Sequence, residues 1–335
     1  MEHAVTPKLL DYFHARGKRF GLPIAGTFEL TARCNFNCKM CYVHLTEAEQ
    51  RRRGRELTAQ EWIALGEAAK RAGTVFLLLT GGEPFLRPDF PEIYRALHRM
   101  GFLISINTNG ALLNDELLEL FREETPTRIN VSLYGTTNAT YQTLCGVPAY
   151  DRIVRNIERM RSAGLSVKLN LTLTPDNLAE MPSIIAEARA LGAQLQATPY
   201  LFPPVRRDRA GLGKNFRMSA EDAGLFQARY NFLTMKKAQF CLLAEQMSRG
   251  IAQRAGQPCE GQPGQGVSCR AGSSAFWLTW DGRMLPCGQM YEPAFPVTEL
   301  GFDAAWTQTR KATAAIRLPD ACASCSLNFL CHACA

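Results

Sequence analysis

The feature that most constrains the fold is an alternation of short strand-like segments with stretches of helical periodicity. These segments predict six strands, at residues 26–31, 74–79, 102–107, 128–133, 166–173 and 194–199. The stretches between them predict helices at residues 58–72, 88–100, 115–122, 150–163 and 181–191. Six such units in succession imply an α/β fold whose parallel strands are joined by right-handed crossovers, forming a barrel or part of one.

Barrels of this kind bind their ligands at the carboxyl ends of the strands. Four segments rich in Cys, Gly or small polar residues fall at such ends: 34–41, 81–84, 108–110 and 132–135. The sequence therefore predicts one composite site at this end of the barrel.

Three cysteines, Cys34, Cys38 and Cys41, occupy the first of these segments. A loop with this spacing supplies three thiolates, whereas a 4Fe-4S cubane has four irons, so one iron would stay open to a small molecule. The alternative is a structural zinc site, with His44 as a fourth ligand.

A second motif, Thr80-Gly81-Gly82-Glu83-Pro84, follows a buried strand. Two glycines permit a close approach of the backbone to a ligand, and Glu83 offers a carboxylate to an ammonium group. The alternative is an ordinary turn between a strand and a helix.

Together the two motifs resemble the radical SAM superfamily, whose core is a partial (β/α)6 parallel barrel. The resemblance implies that S-adenosylmethionine chelates the open iron and is cleaved reductively to a 5′-deoxyadenosyl radical, which abstracts hydrogen. It implies no catalytic residue beyond the cluster. The cofactor contacts that it implies are Tyr42, Gly81, Gly82, Glu83, Thr108, Asn109 and Ser132. Relatives often carry arginine where this chain has Cys145, which we expect to be a buried apolar residue.

Composition is consistent with a cytoplasmic enzyme. The chain has 335 residues, 12 cysteines and a net charge of +7. It shows no signal peptide and no apolar stretch that could span a membrane, so metal ligation in a reducing compartment is favoured over disulfides. The basic run 51–55 is interpreted as a solvated loop, with contact to an anionic substrate or nucleic acid as the less favoured alternative.

The composition changes after residue 218. We expect an N-terminal segment at 1–22, the barrel at 23–218, a bridging helix and linker at 219–266, and a small Cys-rich iron–sulfur domain at 267–335. The cysteine spacing of the last region resembles the SPASM extension of radical SAM enzymes, which implies one or two auxiliary 4Fe-4S clusters. The implied ligands are Cys269, Cys287 and Cys334 for the nearer cluster, with Cys259 as a candidate fourth ligand, and Cys322, Cys325 and Cys331 for the outer one.

Two complete auxiliary clusters need eight thiolates, and these seven cysteines fall one short. Either the outer cluster has an open site, or the chain continues beyond residue 335; we favour the second interpretation. A pair of zinc sites is the alternative for this region.

Enzymes with this extension mostly modify peptides or proteins by crosslinking, epimerisation or oxidation, often during the maturation of ribosomally made peptides. The resemblance therefore implies a peptide or protein substrate and a flavodoxin- or ferredoxin-type electron donor. Nucleic acid is disfavoured as a partner. Gly288 stands where sulfatase-maturing relatives carry a catalytic aspartate, which disfavours that activity. Open alternatives are a small-molecule enzyme of cofactor or metabolite synthesis and an electron carrier without catalysis.

Overall fold

The computed structural model describes residues 9–199, 201, 218–254, 266, 269–323 and 325. Within these residues nine strands form one sheet: β1 (Ala25–Glu29), β2 (Phe76–Thr80), β3 (Leu103–Thr108), β4 (Arg128–Ser132), β5 (Val167–Thr172), β6 (Gln194–Thr198), β7 (Ala275–Leu278), β8 (Arg283–Leu285) and β9 (Phe295–Pro296). Their order across the sheet is β6-β5-β4-β3-β2-β1-β7-β8-β9.

The first six strands lie side by side in chain order and all run parallel. This arrangement confirms the predicted α/β fold with a parallel sheet. β7 pairs in parallel with the outer side of β1, and β8 and β9 follow as antiparallel strands. The first strand of the Cys-rich region therefore extends the same sheet beside the strand that leads to Cys34.

The described helices are α1 (Leu9–Phe20), α2 (Glu47–Arg53), α3 (Ala59–Arg71), α4 (Phe90–Arg99), α5 (Asp115–Glu123), α6 (Asn138–Cys145), α7 (Tyr150–Ser162), α8 (Met181–Ala190), α9 (Ala220–Thr234), α10 (Lys237–Arg254), α11 (Val297–Leu300), α12 (Phe302–Ala315) and α13 (Asp320–Ala323). The capping box predicted for α3 is present: Thr58 accepts from the Glu61 amide, and the Glu61 side chain bonds back to the Thr58 amide. None of these helices combines the length and the apolar character that crossing a bilayer requires.

The interpretation of the basic run as a loop was wrong for its first part. Arg51, Arg52 and Arg53 form the last turn of α2, and all three are exposed. A second capping box, between Thr46 and Glu49, starts this helix. Basic residues at its carboxyl end suit the helix dipole, so a local helical role accounts for the run.

The two faces of strands β4 and β5 differ in chemistry. Ile129, Val131 and Leu169 are fully buried in the main hydrophobic core. The alternate residues on the same strands are polar and face the inside of the curved sheet. The helices pack against the apolar face, and the polar face lines a cavity.

Candidate active site

One cavity of about 440 Å³ is lined by the inner face of the barrel and by the cysteine loop. It brings together most of the site residues predicted from the sequence. The predicted residues among its lining are Cys34, Cys38, Cys41, Tyr42, Gly81, Gly82, Thr108, Asn109 and Ser132. Glu83 and His44 are not among the lining residues.

The cysteine loop is fixed to the carboxyl end of α6. The amides of Asn37 and Lys39 donate to the carbonyl oxygens of Cys145 and Leu144, at 3.0 and 2.9 Å. These carbonyls belong to the last turn of α6, which lacks helical partners for them. Cys145 itself is fully buried in the core, as predicted. The loop that carries the three thiols therefore has a rigid support.

Hydrogen-bond donors surround the sulfur atoms of the loop. The amide of Phe36 donates to Cys34 Sγ at 3.4 Å, and that of His44 donates to Cys41 Sγ at 3.2 Å. Burial raises the pKa of the Cys34 thiol to about 12. Without metal this thiol stays protonated at neutral pH, so iron binding has to displace its proton.

The two glycines of the second motif allow a close contact between two segments of the chain. The amide of Gly82 donates to Thr31 O at 2.7 Å, and that of Glu83 to Arg33 O at 2.8 Å. A Cβ atom on Gly82 would lie 2.2 Å from Arg33 O, and one on Gly81 would lie 2.6 Å from Thr31 O. The glycines are thus required by the backbone that leads into Cys34, a role that the sequence pattern did not distinguish from ligand approach.

Glu83 is fully buried beside the cavity, and both of its carboxylate oxygens accept hydrogen bonds from the protein. Oε1 accepts from Thr108 Oγ1 at 2.8 Å and from the Phe85 amide at 3.2 Å, and Oε2 accepts from the Asn109 amide at 2.7 Å. Asn109 Nδ2 in turn donates to Asn35 Oδ1 at 2.7 Å, inside the cysteine loop. Glu83 therefore ties the ends of β2 and β3 to that loop, and its contact with S-adenosylmethionine stays a prediction.

We expect Glu83→Gln to change how stability depends on pH. Burial raises the pKa of the Glu83 carboxyl to about 7, against an ordinary value of 4.5. A raised folded-state pKa stabilises the fold below pH 4.5, and this contribution is lost as pH rises through 7. The loss in the cofactor-free wild type is on the order of 3 kcal/mol. Urea unfolding of both proteins at several pH values measures this loss. The free energy of unfolding of the wild type should fall between pH 4.5 and 7 relative to that of the variant. The same pH dependence in both proteins would contradict a buried carboxyl group with a raised pKa.

The donor set fits an iron–sulfur cluster. Three thiols from one loop line the cavity beside backbone and side-chain groups that could hold a small polar molecule. Within the described part of the chain, no three His, Cys, Asp or Glu side chains converge as they would on a single ion. A cubane distributes its thiolates over different irons, so it does not require that convergence. Cys34, Cys38 and Cys41 are the residues that would hold it.

Part of the cavity wall was not predicted from the sequence. Beside Ser132, it is formed by alternating polar residues on the three neighbouring strands β4, β5 and β6: Arg128, Asn130, Lys168, Asn170, Thr172, Gln196 and Thr198. The signal was present in the segments 128–132, 168–172 and 194–198, which share one polar–apolar alternation. Strands of a parallel barrel with helices outside can be polar only on the inside, so this pattern identifies a hydrophilic interior.

A second, more open cavity of about 790 Å³ lies between α1 and β7, and Cys269 and Cys287 are among its lining residues. The chain turns at Cys322, where the Cys325 amide donates to the Cys322 carbonyl at 3.4 Å. The other predicted auxiliary ligands, Cys259, Cys331 and Cys334, lie outside the described residues. Two of the proposed ligands of the nearer cluster therefore share one cavity.

Gly288, the residue after Cys287, packs against the Trp277 indole. A Cβ atom at this position would lie 2.8 Å from the ring, so the indole would have to move to admit an aspartate. This contact gives a steric reason for the glycine that the sequence analysis noted.

Comparison with known proteins agrees with this geometry. Residues 28–188 match the model of the Radical SAM superfamily. These residues span β1 to α8 and include the cysteine loop, Glu83 and Ser132. The chain thus carries a radical SAM domain, which belongs to an enzyme superfamily whose members use a 4Fe-4S cluster and S-adenosylmethionine.

Two enzymes are examples of proteins with similar sequences. The AdoMet-dependent heme synthase of Methanosarcina barkeri is 28% identical over 322 residues, covering 92% of this chain and 89% of that protein. The probable GTP 3′,8-cyclase of Saccharolobus islandicus is 35% identical over 199 residues, or 58% of this chain. The chain spans only 61% of the length of the latter.

Among solved structures, Streptococcus suis SuiB bound to its precursor peptide SuiA superposes with a TM-score of 0.65. The match covers 99% of this chain and 79% of SuiB at 16% identity. SuiB bound to S-adenosylmethionine gives a TM-score of 0.63. At this identity the likeness shows a shared fold that extends over the C-terminal region as well as the barrel.

Proposed function

We propose that this chain binds a 4Fe-4S cluster at Cys34, Cys38 and Cys41 and uses S-adenosylmethionine to activate a C–H bond of a substrate in the barrel cavity. The observation that carries the proposal is the convergence of the three thiols on one cavity with six of the seven predicted cofactor contacts: Tyr42, Gly81, Gly82, Thr108, Asn109 and Ser132. When bound, the cluster and S-adenosylmethionine supply a one-electron cleavage that yields a hydrogen-abstracting radical. A flavodoxin- or ferredoxin-type protein would supply the electron.

The residues of the chain position and shield this chemistry. Gly82 and Glu83 join the second motif to the cysteine loop through backbone hydrogen bonds, and Glu83 fixes Thr108 and Asn109. Ser132, at the carboxyl end of β4, accepts a hydrogen bond from the partly buried Tyr134 hydroxyl at 3.2 Å, which orients it at the cavity wall. Groups held in this way need little rearrangement when a ligand binds.

Our first candidate for the substrate is a peptide or protein side chain that becomes crosslinked, epimerised or oxidised. Its support is the cysteine pattern of the C-terminal region and a fold shared with SuiB, which has been solved on a precursor peptide. The test is anaerobic co-expression with a short Cys-, Ser- or Trp-rich peptide encoded beside the gene, followed by mass spectrometry. A mass change that depends on the three cysteines is expected, and an unchanged peptide in cells with an active enzyme would oppose this candidate.

A second candidate is a small anionic molecule of cofactor or metabolite synthesis. Two observations support it: the similarity over 92% of the chain to a heme synthase, and the presence of Arg128 and Lys168 in the cavity. Cleavage of S-adenosylmethionine that is stimulated by a deproteinised cell extract, and not by the peptide, would favour this candidate over the first.

We also propose one or two auxiliary clusters in the C-terminal region, which relay an electron from the substrate radical or anchor the substrate. Anaerobic reconstitution should then give roughly eight to twelve irons per chain, at four per cubane. Replacing Cys269 and Cys287 with Ala should remove about four of them and leave cleavage of S-adenosylmethionine intact. Iron and zinc analysis measures both contents. A wild type with about four irons, or with zinc at these sites, would show that the region is a structural module.

A further inference from the structure

Two basic side chains line the part of the same cavity that lies away from the cysteine loop. Arg128 begins β4, and Lys168 is the second residue of the neighbouring strand β5. In the sheet, Lys168 is paired with Asn130 and Asn170 with Ser132. Because a strand rises about 3.3 Å per residue, Arg128 lies roughly 13 Å deeper than Ser132, at the end of the barrel away from the cysteine loop.

Neither cation is neutralised by a carboxylate of the residues that the structure describes. No carboxylate of the described chain forms an ion pair with Arg128 or Lys168. Burial and the nearby Arg128 charge lower the pKa of Lys168, which shows that the two charges act on each other. Lys168 Nζ donates to the side-chain oxygen of Gln196, a neutral partner. Two like charges held together at the end of a cavity are unfavourable unless an anion joins them.

Polar atoms beside these cations lack partners. Arg128 Nε and Asn130 Oδ1 are buried and have no hydrogen bond with any residue that the structure describes. Asn130 is only 7% exposed, and its Nδ2 donates to Asn107 Oδ1 at 2.8 Å. Buried polar atoms are nearly always hydrogen-bonded in folded proteins, so an unsatisfied donor and an unsatisfied acceptor in one cavity wall indicate that a ligand completes them.

We propose that Arg128 and Lys168 form a subsite for an oxyanion of the substrate, a carboxylate or a phosphate, with Asn130 accepting from a neighbouring donor group. A guanidinium presents parallel N–H groups that match the two oxygens of such an anion, and the ammonium adds a point charge. The subsite deepens the proposed function, because it rests on this cavity being the substrate site.

The position of the subsite sets the dimensions of the substrate. S-adenosylmethionine is expected at the end lined by Tyr42, Gly81 and Ser132. Arg128 lies four strand residues from Ser132, and Lys168, which is opposite Asn130, lies two residues from the level of Ser132. The oxyanion therefore sits on the order of 10 Å from the carbon that loses hydrogen. A substrate with its charged group next to the reacting carbon would not reach both ends.

Isothermal titration of the reconstituted full chain, without S-adenosylmethionine, tests the subsite separately from the radical chemistry. The probes are glutarate, inorganic phosphate and the uncharged glutaramide. We expect glutarate or phosphate to bind at least about tenfold more tightly than glutaramide. The tighter of the two anions identifies the oxyanion as carboxylate or phosphate.

The combined change Arg128→Gln and Lys168→Gln should weaken binding of that anion by about tenfold or more. Lys168→Arg keeps the charge and should retain most of the affinity, and the exposed helical control Arg152→Gln should match the wild type. Equal binding of glutarate, phosphate and glutaramide by the wild type would overturn the proposal even if the double variant fails to fold. Wild-type affinity in a folded double variant would also overturn it. Failure of S-adenosylmethionine cleavage would affect none of these measurements.

Discussion

Replacing Cys34, Cys38 and Cys41 together with Ala should abolish the formation of 5′-deoxyadenosine. The three thiols line one end of the cavity, and thiolates are the iron ligands that this loop offers. Since no other group of the loop can hold the cluster, we expect activity at the background level and not a partial loss. Chromatography of reactions with S-adenosylmethionine and dithionite under anaerobic conditions measures the product.

The control for this variant is Cys241→Ala, because Cys241 is exposed on α10, away from the cavity lining. It should behave as the wild type. The triple variant should also retain iron bound by the C-terminal region, which shows that the loss is local. A triple variant that still cleaves S-adenosylmethionine would end the assignment of the cluster to this loop.

Gly82→Ala should have the second-largest effect, although it adds only one methyl group. The new Cβ would lie 2.2 Å from the carbonyl oxygen of Arg33 and 2.9 Å from that of Ala32. Both are backbone atoms and cannot move aside as a flexible side chain does, so the segment that carries Cys34 has to shift. Strain of this kind costs about 1–3 kcal/mol, and we expect at least a tenfold loss of S-adenosylmethionine cleavage.

Gly224→Ala provides the matched control, because this glycine lies in α9 with open space around the position of a Cβ atom. Alanine favours helices over glycine, so this variant should be as stable as the wild type or slightly more stable. Thermal unfolding and 5′-deoxyadenosine formation give the comparison. If Gly82→Ala unfolds and reacts like the wild type, the close contact with the cysteine loop does not control the site.

Local sequence signals were sufficient to predict the six parallel strands and most of the helices that join them. Short strand-like segments mark β1 to β6, and the Thr58 capping box and Gly73 mark the ends of α3. Because each crossover is local, the order of the strands follows from the order of the chain. The pairing of β7 with β1 could not be predicted in this way, since it joins residues about 250 positions apart and depends on tertiary packing.

The candidate site was predictable where motifs are compact and not where partners come from distant segments. The three cysteines and two glycines were identified from spacing alone, and they lie on one cavity. The carboxylate of Glu83 was predicted to face a ligand, but its partners are Thr108 and Asn109, some 25 residues further along the chain. Burial and such long-range hydrogen bonds are set by the fold, so sequence spacing does not reveal them.

The most direct test of the central claim is electron paramagnetic resonance of the reconstituted, dithionite-reduced protein before and after S-adenosylmethionine is added. A cluster held by Cys34, Cys38 and Cys41 leaves one iron open, so binding of the cofactor should change its spectrum, while a variant that lacks Cys269 and Cys287 should respond in the same way. A spectrum that does not change with S-adenosylmethionine, or a response that persists without the three loop cysteines, would contradict the account.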